Sequence, residues 1–543
     1  MKKKIILPVI VVGLVVLTAA KAYKFSPFFE IAKQIEIFTT LYKEVNMNYV
    51  DKTNPAQLMN TAMSAMLEDL DPYTQFYNEQ DVEQAKIQQS GEYSGIGALV
   101  KNRDGKITIM ELYKGYPADK AGLKAGDEII QVGNVNVSDF KDDASQLLQG
   151  SPGSEVEISY LRQGKTHTTT LTREEVDIQA VPYFTLLENN IGYIVLSKFN
   201  QKAASEVADA IEELQNQGAD KLILDLRNNP GGLMMEAVKI SNLFLPKNQL
   251  VVFTKSNIEE YNQTYVTQKE PMVPEMPLVV LINGRSASAS EIVSGSLQDL
   301  DRAVIVGARS FGKGLVQRPK PLPYGTQMKI TIARYYTPSG RCIQALDYWS
   351  RDKDGNPVRI KASEYNEFKT KNGRPVFDGG GVMPDVNLES SKISGITQAL
   401  LEEDAIFDYA TQYYYSHQLS SPSQFNFTDS DYQDFLAYLK KSDFEHHTQT
   451  EEKLKTLYEF AHKEELDDEI EKEYKAMMSA IQGSSQKALQ EKKPGIISLL
   501  TDEIIKRYFY QEGLYQYYVK HNPEIMKAKE LLSNSKKYEE ILK

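Results

Sequence analysis

Apolar positions divide the chain into stretches with different periodicities. Between Pro27 and about Gln89 they recur three and four residues apart, which predicts helices. Between Tyr93 and about Arg173 short runs of alternating apolar and polar residues are separated by glycine-containing turns, which predicts a small β-rich module. Beyond about Ser391 the helical spacing returns, in long stretches that carry many charges and aromatic residues.

The segment from Ile191 to Leu388 alternates strand-like and helix-like patterns. Apolar runs such as "KLILDL" and "PLVVLIN" are separated by helical stretches, of which the first covers Ala203 to Asn216. Continuously apolar strands are typical of a sheet that is buried on both faces. We therefore expect a multidomain α/β plus β protein with five segments: residues 1–22 as an export signal or membrane anchor, 27–90 as a helical region, 91–175 as the β-rich module, 176–390 as the α/β core and 391–543 as a second helical region.

The first 22 residues have the pattern of an export signal. Lys2, Lys3 and Lys4 precede an apolar or small stretch from Ile5 to Ala20, and Ala20-Lys21-Ala22 resembles a cleavage site. The stretch is short for a bilayer span, yet long enough for an uncleaved anchor, so cleavage and inner-membrane association through residues 5–20 both stay open. A buried core helix would leave the basic flank unexplained. We expect an exported protein of the bacterial periplasm or cell envelope.

Composition narrows the function classes. At 543 residues the chain is long enough for several domains, and 41% hydrophobic with 25% charged residues is ordinary for a globular protein. The formal net charge of -12 argues against nucleic acid as a partner, since nucleic-acid binders usually concentrate basic residues on one surface. The single cysteine, Cys342, cannot form an internal disulfide, and a small buried apolar role fits it better than an activated nucleophile.

Three serines stand at alternate positions in "SASASE", residues 286 to 291, just before a helical apolar run. Ser288 and Glu291 have the spacing of a capping box, in which the serine oxygen and the glutamate satisfy the first amides of a helix. A serine at a helix start could equally attack a carbonyl, because the amides and the helix dipole there favour developing negative charge. Both interpretations stay open at this point.

A nucleophilic serine needs a base. All six histidines lie outside residues 168 to 416, so a local Ser-His-Asp triad is excluded and only a distant histidine that folds back could replace it. The remaining candidate is a lysine that loses its proton on burial. Lys313 in "RSFGKGLVQ" has glycine on both sides, and Gln317 lies on the same face of an extended strand, where it could orient the amine. The alternative is a surface lysine in a glycine-rich turn.

Four ordered motifs resemble the carboxyl-terminal processing peptidases, also called tail-specific proteases: "DLRNNPGG" (225 to 232), "SASASE" (286 to 291), "FGKGLVQ" (311 to 317) and "ARYYTPSGR" (333 to 341). The resemblance implies a crotonase/ClpP-like α/β protease core with an inserted PDZ domain. It also implies a serine endopeptidase with Ser288 as nucleophile, Lys313 as general base and Gln317 as the residue that positions the lysine. The oxyanion hole would be formed by the amides of Gly232 and Ala289.

The β-rich module resembles a PDZ domain, most clearly in "PADKAGLKAGDEIIQVGNVNV". The loop "YSGIG" then matches the carboxylate-binding loop, which consists of Tyr93, Ser94, Gly95, Ile96 and Gly97. PDZ domains bind peptide tails by strand addition, so we expect protein or peptide substrates with accessible C-termini. A PDZ domain that only braces the enzyme is the alternative.

The resemblance implies no metal and no cofactor, and it allows a homo-oligomer or an adaptor protein as a partner. One departure is the long stretch between Cys342 and "GGVMPDV", which we expect to be a surface insertion. Two rival functions remain. One is a non-catalytic PDZ scaffold of the cell envelope, and the other is an acyl hydrolase of a different substrate class, such as a thioester.

Overall fold

The computed structural model of the chain describes residues 27–140, 143–353, 355–388, 394–442, 444 and 449–543. The predicted signal or anchor, residues 1–22, lies outside the described residues. Among the residues that are described, no helix combines the length and the apolar character that a membrane crossing requires.

The chain divides into two units, and the smaller one contains the first described residues up to Tyr77 together with residues 319–330. Its elements are α1 (Pro27–Asn48), α2 (Pro55–Glu68) and β1 (Gln75–Tyr77), and β1 pairs antiparallel with residues 327–329. The Asn54 side chain accepts a hydrogen bond from the Gln57 amide and so caps α2. The predicted helical N-terminal region is confirmed, with a third helix, α3 (Glu79–Ser90), at the start of the larger unit.

The β-rich module follows α3. Five of its strands form a sheet in the order β3-β4-β5-β7-β8, with β6 paired to β5, while β2 pairs with β9. Its core contains Ile107, Ile109 and Ile129, all fully buried. The elements are β2 (Glu92–Gly95), β3 (Ala98–Arg103), β4 (Lys106–Leu112), α4 (Pro117–Lys120), β5 (Glu128–Val132), β6 (Val135–Asn136), β7 (Glu155–Arg162), β8 (Lys165–Thr172) and β9 (Glu174–Asp177).

The α/β core is built on a six-stranded sheet. Its order is β10-β11-β12-β15-β16-β23, in which β10 is antiparallel to β11 and the others are parallel to their neighbours. The elements of this region are β10 (Tyr183–Leu187), β11 (Ile191–Val195), α5 (Ala203–Asn216), β12 (Lys221–Asp225), α6 (Met234–Asn242), β13 (Leu250–Lys255), β14 (Thr264–Val266), β15 (Leu278–Ile282), α7 (Ala289–Asp299), β16 (Val304–Gly307), β17 (Leu315–Pro321), β18 (Gln327–Tyr336), β19 (Leu346–Arg351), β20 (Pro357–Arg359), β21 (Glu367–Lys369), β22 (Pro375–Phe377) and β23 (Val386–Asn387).

Successive residues of the central strands enter two different hydrophobic cores, because side chains alternate between the faces of a sheet. Leu222, Leu224 and Val280 pack with helices α5, α6 and α7 on one face. Ile223 and Val279 pack on the opposite face against residues close to the C-terminus. The prediction of a sheet buried on both faces is therefore confirmed.

The second helical region contains eight helices among the described residues. They are α8 (Gly395–Glu402), α9 (Ala405–Ser416), α10 (Asp429–Lys441), α11 (Gln449–Lys463), α12 (Asp467–Glu491), α13 (Lys493–His521), α14 (Pro523–Leu532) and α15 (Ser535–Leu542). Helices α8, α9, α10 and α13 share a core of their own. Helices α14 and α15 instead cover the second face of the α/β sheet through Ile525, Leu531 and Tyr538. Helices α14 and α15 thus complete the hydrophobic core on this face of the sheet, whose first buried residue in the chain is Leu187.

The insertion after Cys342 forms two short antiparallel hairpins, β19 with β20 and β21 with β22. Most of its described residues are exposed or partly exposed, as expected for a surface insertion.

Candidate active site

The three alternating serines have different environments. Ser286 donates a hydrogen bond from Oγ to the Leu226 carbonyl oxygen at 2.8 Å, and Ser290 donates from Oγ to the Asn229 carbonyl oxygen at 2.9 Å. Both are 0% exposed. Ser288 is partly exposed. The two outer serines therefore tie this loop to the "DLRNNPGG" segment, and Ser288 is left as the serine that a substrate could reach.

Ser288 lies at a sharp turn between strand β15 and helix α7. It is the residue before the first helical residue, and its backbone has φ 55° and ψ -112°. A residue with a Cβ rarely adopts such a conformation, and residues held in it cluster at active sites. The Glu291 carboxylate accepts a hydrogen bond from the Ser288 amide at 2.8 Å, which is the glutamate half of the predicted capping box. Ser288 therefore combines a position at a helix start with a strained backbone.

The Gly231-Gly232 turn lies directly against the start of α7. Both glycines have positive φ, 96° and 149°, and a Cβ on Gly232 would approach the Phe199 carbonyl oxygen to 2.3 Å. A Cβ on Gly231 would lie 2.9 Å from the Ala289 amide nitrogen. The Asn229 side chain holds the turn, because its Oδ1 accepts from the Gly231 amide at 2.9 Å. Only glycine permits this conformation and this close approach.

Two backbone amides at this junction, those of Gly232 and Ala289, lack an acceptor among the described residues. Within the part of the chain that the structure describes, neither the Gly232 amide nor the Ala289 amide donates a hydrogen bond to a protein group. Ala289 is the first residue of α7, so its amide has no partner inside the helix. Gly232 is exposed. Two such donors beside a reachable serine could stabilise an oxyanion.

The loop that carries Lys313 meets the Ser288 turn at a shared carboxylate. Glu291 Oε2 accepts from the Ser288 amide at 2.8 Å and from the Lys313 amide at 2.9 Å. The flanking glycines allow close packing, as expected, since a Cβ on Gly312 would lie 2.4 Å from Ala345 Cβ. Lys313 itself is partly buried. The two residues, 25 positions apart in the sequence, thus have their backbones bonded to the same oxygen atom.

Tyr335 also bonds to the backbones of both Ser288 and Lys313. Tyr335 in β18 donates from its hydroxyl to the carbonyl oxygens of Lys313, at 2.8 Å, and of Ser288, at 3.1 Å. Its motif is visible in the sequence, but nothing in the spacing of "ARYYTPSGR" reveals this contact. Glu291 was visible only as a capping residue.

Comparisons with known proteins identify the family and the domains of the chain. The family model described as Peptidase family S41 matches residues 190–347, a PDZ domain model matches residues 94–172, and a model described as the C-terminal helical domain of a probable PDZ-protease matches residues 396–532. The carboxy-terminal processing protease CtpA of Bacillus subtilis is 32% identical over 361 residues, which are 65% of this chain and 75% of the relative. The chain belongs to the carboxy-terminal processing proteases. It is a serine peptidase of family S41 with a PDZ domain.

Other relatives have similar coverage. The carboxy-terminal-processing protease of Bartonella bacilliformis is 34% identical over 321 residues, 58% of this chain and 73% of the relative. Among solved structures, the photosystem II D1 C-terminal processing protease is 29% identical, with 65% of this chain and 92% of that chain covered and a TM-score of 0.36.

In this processing protease, Gln317 lies in β17, a few residues after Lys313. Its side-chain amide donates to Thr331 Oγ1 at 3.2 Å. Its expected role in orienting the lysine stays a prediction. Among the described residues no group of His, Cys, Asp and Glu side chains could hold a metal ion.

The histidines and the cysteine of the protease have other surroundings. His167 stacks on Tyr160 of the PDZ domain, and His417 and His521 stack on tyrosines of the C-terminal helices. His446 and His447 lie outside the described residues. Burial raises the pKa of the Cys342 thiol, which disfavours the thiolate that a cysteine nucleophile would need.

The expected carboxylate loop of the PDZ domain begins in a strand. Tyr93, Ser94 and Gly95 belong to β2, which pairs with β9, whereas Ile96 is buried in the PDZ core. Gly97 has φ 72°, and a Cβ there would lie 2.2 Å from Tyr116 Cβ. The Ser94 hydroxyl is buried and has no hydrogen-bond partner among the described residues. Burial raises the pKa of Tyr93, whose ring lies against Gly95.

Proposed function

We propose that the protease cleaves peptide bonds with Ser288 as the nucleophile and Lys313 as the general base. The observation that carries the proposal is the difference in backbone conformation and exposure between Ser288 and the other two serines. Ser288 has a strained backbone and a partly exposed side chain, while Ser286 and Ser290 are buried and bonded to backbone carbonyls. The shared Glu291 oxygen supports the pairing with Lys313, because it keeps the two backbones together.

The reaction follows the chemistry of acyl transfer. Neutral Lys313 takes the proton from Ser288 Oγ as this oxygen bonds to the scissile carbonyl carbon. The carbon–nitrogen bond then breaks, and Lys313 returns the proton to the leaving amine. In the second half water attacks the acyl carbon and gives a proton to Lys313. The ester bond to Ser288 Oγ then breaks, and Lys313 returns the proton to Ser288 Oγ. Gln317 orients the lysine amine without placing a negative charge beside it.

The oxyanion of each tetrahedral intermediate accepts hydrogen bonds from the Gly232 and Ala289 amides. Their position supports this role, because a Cβ on neighbouring Gly231 would lie 2.9 Å from the Ala289 nitrogen and 2.9 Å from Ser288 Cβ. Removing one donor from an oxyanion hole typically lowers kcat by about 10²–10³-fold.

The substrates are proteins or peptides with accessible C-termini, bound by the PDZ domain. The terminal carboxylate is received by the loop from Tyr93 to Gly97, and the unpartnered Ser94 hydroxyl can donate to it. The protein acts after export, in the bacterial periplasm or cell envelope, with residues 1–22 as a cleaved signal or as an inner-membrane anchor through residues 5–20. A homo-oligomer or an adaptor protein is compatible with this function.

Alanine variants test the dyad. Ser288→Ala and Lys313→Ala should each lower the proteolysis of an unfolded protein by about 10⁴-fold or more, since catalytic residues that act as a unit have losses of this size. Ser288→Ala should also abolish labelling by a fluorophosphonate probe. The matched control is Ser290→Ala, which should still be labelled if it folds. Labelling of Ser288→Ala at the normal rate would remove Ser288 as the nucleophile.

Substrate chemistry tests tail recognition without changing the enzyme. A peptide with a free C-terminal carboxylate should be cleaved with a higher kcat/KM than the same peptide with a C-terminal amide. Equal values for the two peptides would contradict carboxylate recognition while leaving the dyad intact. A thioester substrate in the same assay separates peptidase activity from general acyl hydrolysis.

A further inference from the structure

We propose that Glu291 and Tyr335 are positioning residues that hold the Ser288 turn against the Lys313 loop and so set the geometry of the catalytic pair. The inference rests on the proposed roles of Ser288 and Lys313. It concerns groups that need not touch the substrate and that act through the two residues they connect.

Glu291 receives four hydrogen bonds and uses both carboxylate oxygens. Oε2 accepts from the amides of Ser288, at 2.8 Å, and Lys313, at 2.9 Å. Oε1 accepts from the Gly312 amide at 2.7 Å and from Ser310 Oγ at 2.5 Å. Helix capping accounts for the first of these bonds alone. The other three donors come from the loop that precedes and includes Lys313, so the carboxylate links two separate segments.

The pattern of donors suits an ionised carboxylate, because all four groups can donate to its oxygens. Three donors are backbone amides, which can only donate, and Ser310 Oγ accepts from the Val382 amide at 2.6 Å, so its own hydrogen is directed to Glu291. Glu291 is fully buried, and this burial raises the pKa of Glu291 above its ordinary value, although the four hydrogen bonds act in the opposite direction. Hydrogen bonds to an ionised acceptor are stronger than those between neutral groups.

Tyr335 supplies the complementary contacts. Its hydroxyl donates to the Lys313 carbonyl oxygen at 2.8 Å and lies 3.1 Å from the Ser288 carbonyl oxygen, so one hydrogen is shared between two acceptors. The side chain is 1% exposed, and burial raises the pKa of Tyr335 well above its ordinary value, so the hydroxyl keeps its proton. The ring belongs to the hydrophobic core that also contains Ile292 and Val293 of helix α7.

Glu291 and Tyr335 together bond to the amides and the carbonyl oxygens of Ser288 and Lys313. The amides of Ser288 and Lys313 bond to Glu291, and their carbonyl oxygens bond to Tyr335. Ser288 needs such support, because its φ of 55° is unfavourable and would relax if the turn were released. A displacement of about 1 Å in a reacting group can lower a rate by about 10²-fold.

The test compares Tyr335→Phe and Glu291→Gln with the wild-type protease on one peptide substrate. Tyr335→Phe removes a single hydroxyl, and we expect kcat to fall by about 10–10²-fold with KM nearly unchanged, because the loss concerns geometry rather than substrate binding. Glu291→Gln places an amide donor against amide donors, so we expect a larger fall in kcat. If Glu291→Gln does not fold, Tyr335→Phe alone decides.

The matched control is Tyr538→Phe. Tyr538 is also a buried tyrosine whose hydroxyl bonds to the backbone of the core, at the Leu278 carbonyl oxygen at 3.0 Å, but on the other face of the sheet. Its loss should lower the melting temperature and leave kcat unchanged. An equal fall in kcat for Tyr538→Phe, or a wild-type kcat in folded Tyr335→Phe, would overturn the inference.

Ser288→Ala in the same assay distinguishes the positioning role of Glu291 and Tyr335 from the proposed dyad itself. If Ser288→Ala is inactive while Tyr335→Phe and Glu291→Gln keep the wild-type kcat, the positioning role is wrong and the dyad stands. If Ser288→Ala keeps its activity, the proposed dyad is wrong, and the positioning inference fails with it.

Discussion

The C-terminal helical region meets the rest of the larger unit through two surfaces of opposite character. Helix α14 presents Ile525, Ala528 and Leu531 to the α/β sheet, all of them 0% exposed. Toward the PDZ domain the same region presents charges: Asp404 and Asp408 pair with Lys101 and Arg103. The first surface resembles the interior of a domain, and the second resembles a contact between domains.

Further polar contacts extend the surface toward the PDZ domain. Tyr510 donates from its hydroxyl to Asp119 at 2.6 Å, and Gln511 donates to Glu111 at 2.9 Å. Tyr510 interrupts helix α13 with φ 58° and ψ -167°, so the helix changes its course where it meets the PDZ domain. Polar contacts between domains are the kind that permit relative motion, whereas an apolar surface of this type stays closed. We expect the sheet contact to be permanent and the PDZ contact to be adjustable.

The largest effect should come from the apolar surface. Leu531→Ala removes a fully buried side chain between α14 and the sheet, and such truncations destabilise proteins by about 2–5 kcal/mol. Met526→Ala on the same helix is the control, because Met526 is 55% exposed. The measurement is the free energy of unfolding from urea denaturation. Equal losses in the two variants would show that α14 does not complete the core.

A smaller effect is expected at the partly buried ion pair of the PDZ surface. Arg103 donates to both oxygens of Asp408, at 2.9 and 3.0 Å, and also lies 3.3 Å from Asp404. Hydrogen bonds to charged groups contribute about 1.5–3 kcal/mol. A double-mutant cycle with Arg103→Ala and Asp408→Ala should therefore give a coupling energy of about that size. No coupling would mean that the two domains do not depend on this pair.

Asp502 lies on helix α13, where its carboxylate accepts a hydrogen bond from the Tyr518 hydroxyl at 2.7 Å. Burial raises the pKa of Asp502 to about 7, with the Tyr518 hydroxyl, Lys506 and Arg227 lowering it and Glu503 raising it. The folded protein therefore binds this proton more tightly than the unfolded chain, whose carboxyl titrates near 3.8. The contribution to stability is greatest below the unfolded pKa and is lost as pH rises through about 7.

Thermal unfolding at several pH values checks whether the contribution of Asp502 to stability falls as the pH rises. Between pH 4 and pH 7 the melting temperature of Asp502→Asn should fall less with rising pH than that of the wild-type protein, because the variant has no proton to lose. Identical slopes for Asp502→Asn and the wild-type protein would contradict the prediction.

The smallest effect is expected for the exposed pair of Lys114 and Glu512, whose side chains are 63% and 48% exposed. Pairs of this kind contribute about 0.2–1 kcal/mol and are screened by salt. Lys114→Ala should change the free energy of unfolding by less than Arg103→Ala. In 1 M NaCl, hydrogen exchange should increase at the PDZ surface of the C-terminal region while α14 stays protected. Faster exchange in both places would remove the distinction between the surfaces.

Much of the α/β core was predictable from the sequence. The helix from Ala203 to Asn216 has the predicted bounds, and the apolar runs at residues 221–226 and 277–283 are central strands. Local periodicity carries this information, because each side chain of a buried strand must meet apolar surface on one face or the other. The same periodicity could not show that Ile525 and Leu531 cover the sheet, since an amphipathic helix does not specify its partner.

The candidate site was likewise predictable from the sequence only in part. Residue types and spacing led to Lys313 and Gln317 as candidates. The resemblance to the processing peptidases implied Ser288, Gly232 and Ala289. Ser286 and Ser290 differ from Ser288 because they donate hydrogen bonds to carbonyl oxygens of a segment that lies 60 and 61 residues earlier in the chain. Tyr335 could not be found from its motif, because a hydroxyl that bonds to two backbone carbonyls leaves no periodic signal in the chain.

By itself the sequence determined which elements form, which chemistry is available and which histidine-based triad is excluded. These are local or compositional properties, read from neighbours in the chain. The tertiary structure decided which serine is reachable, how Glu291 and Tyr335 connect residues 288 and 313, and which surfaces of the C-terminal helices are apolar or charged toward their partners. Hydrogen bonds and burial between distant segments arise only when the chain folds, so no local pattern specifies them.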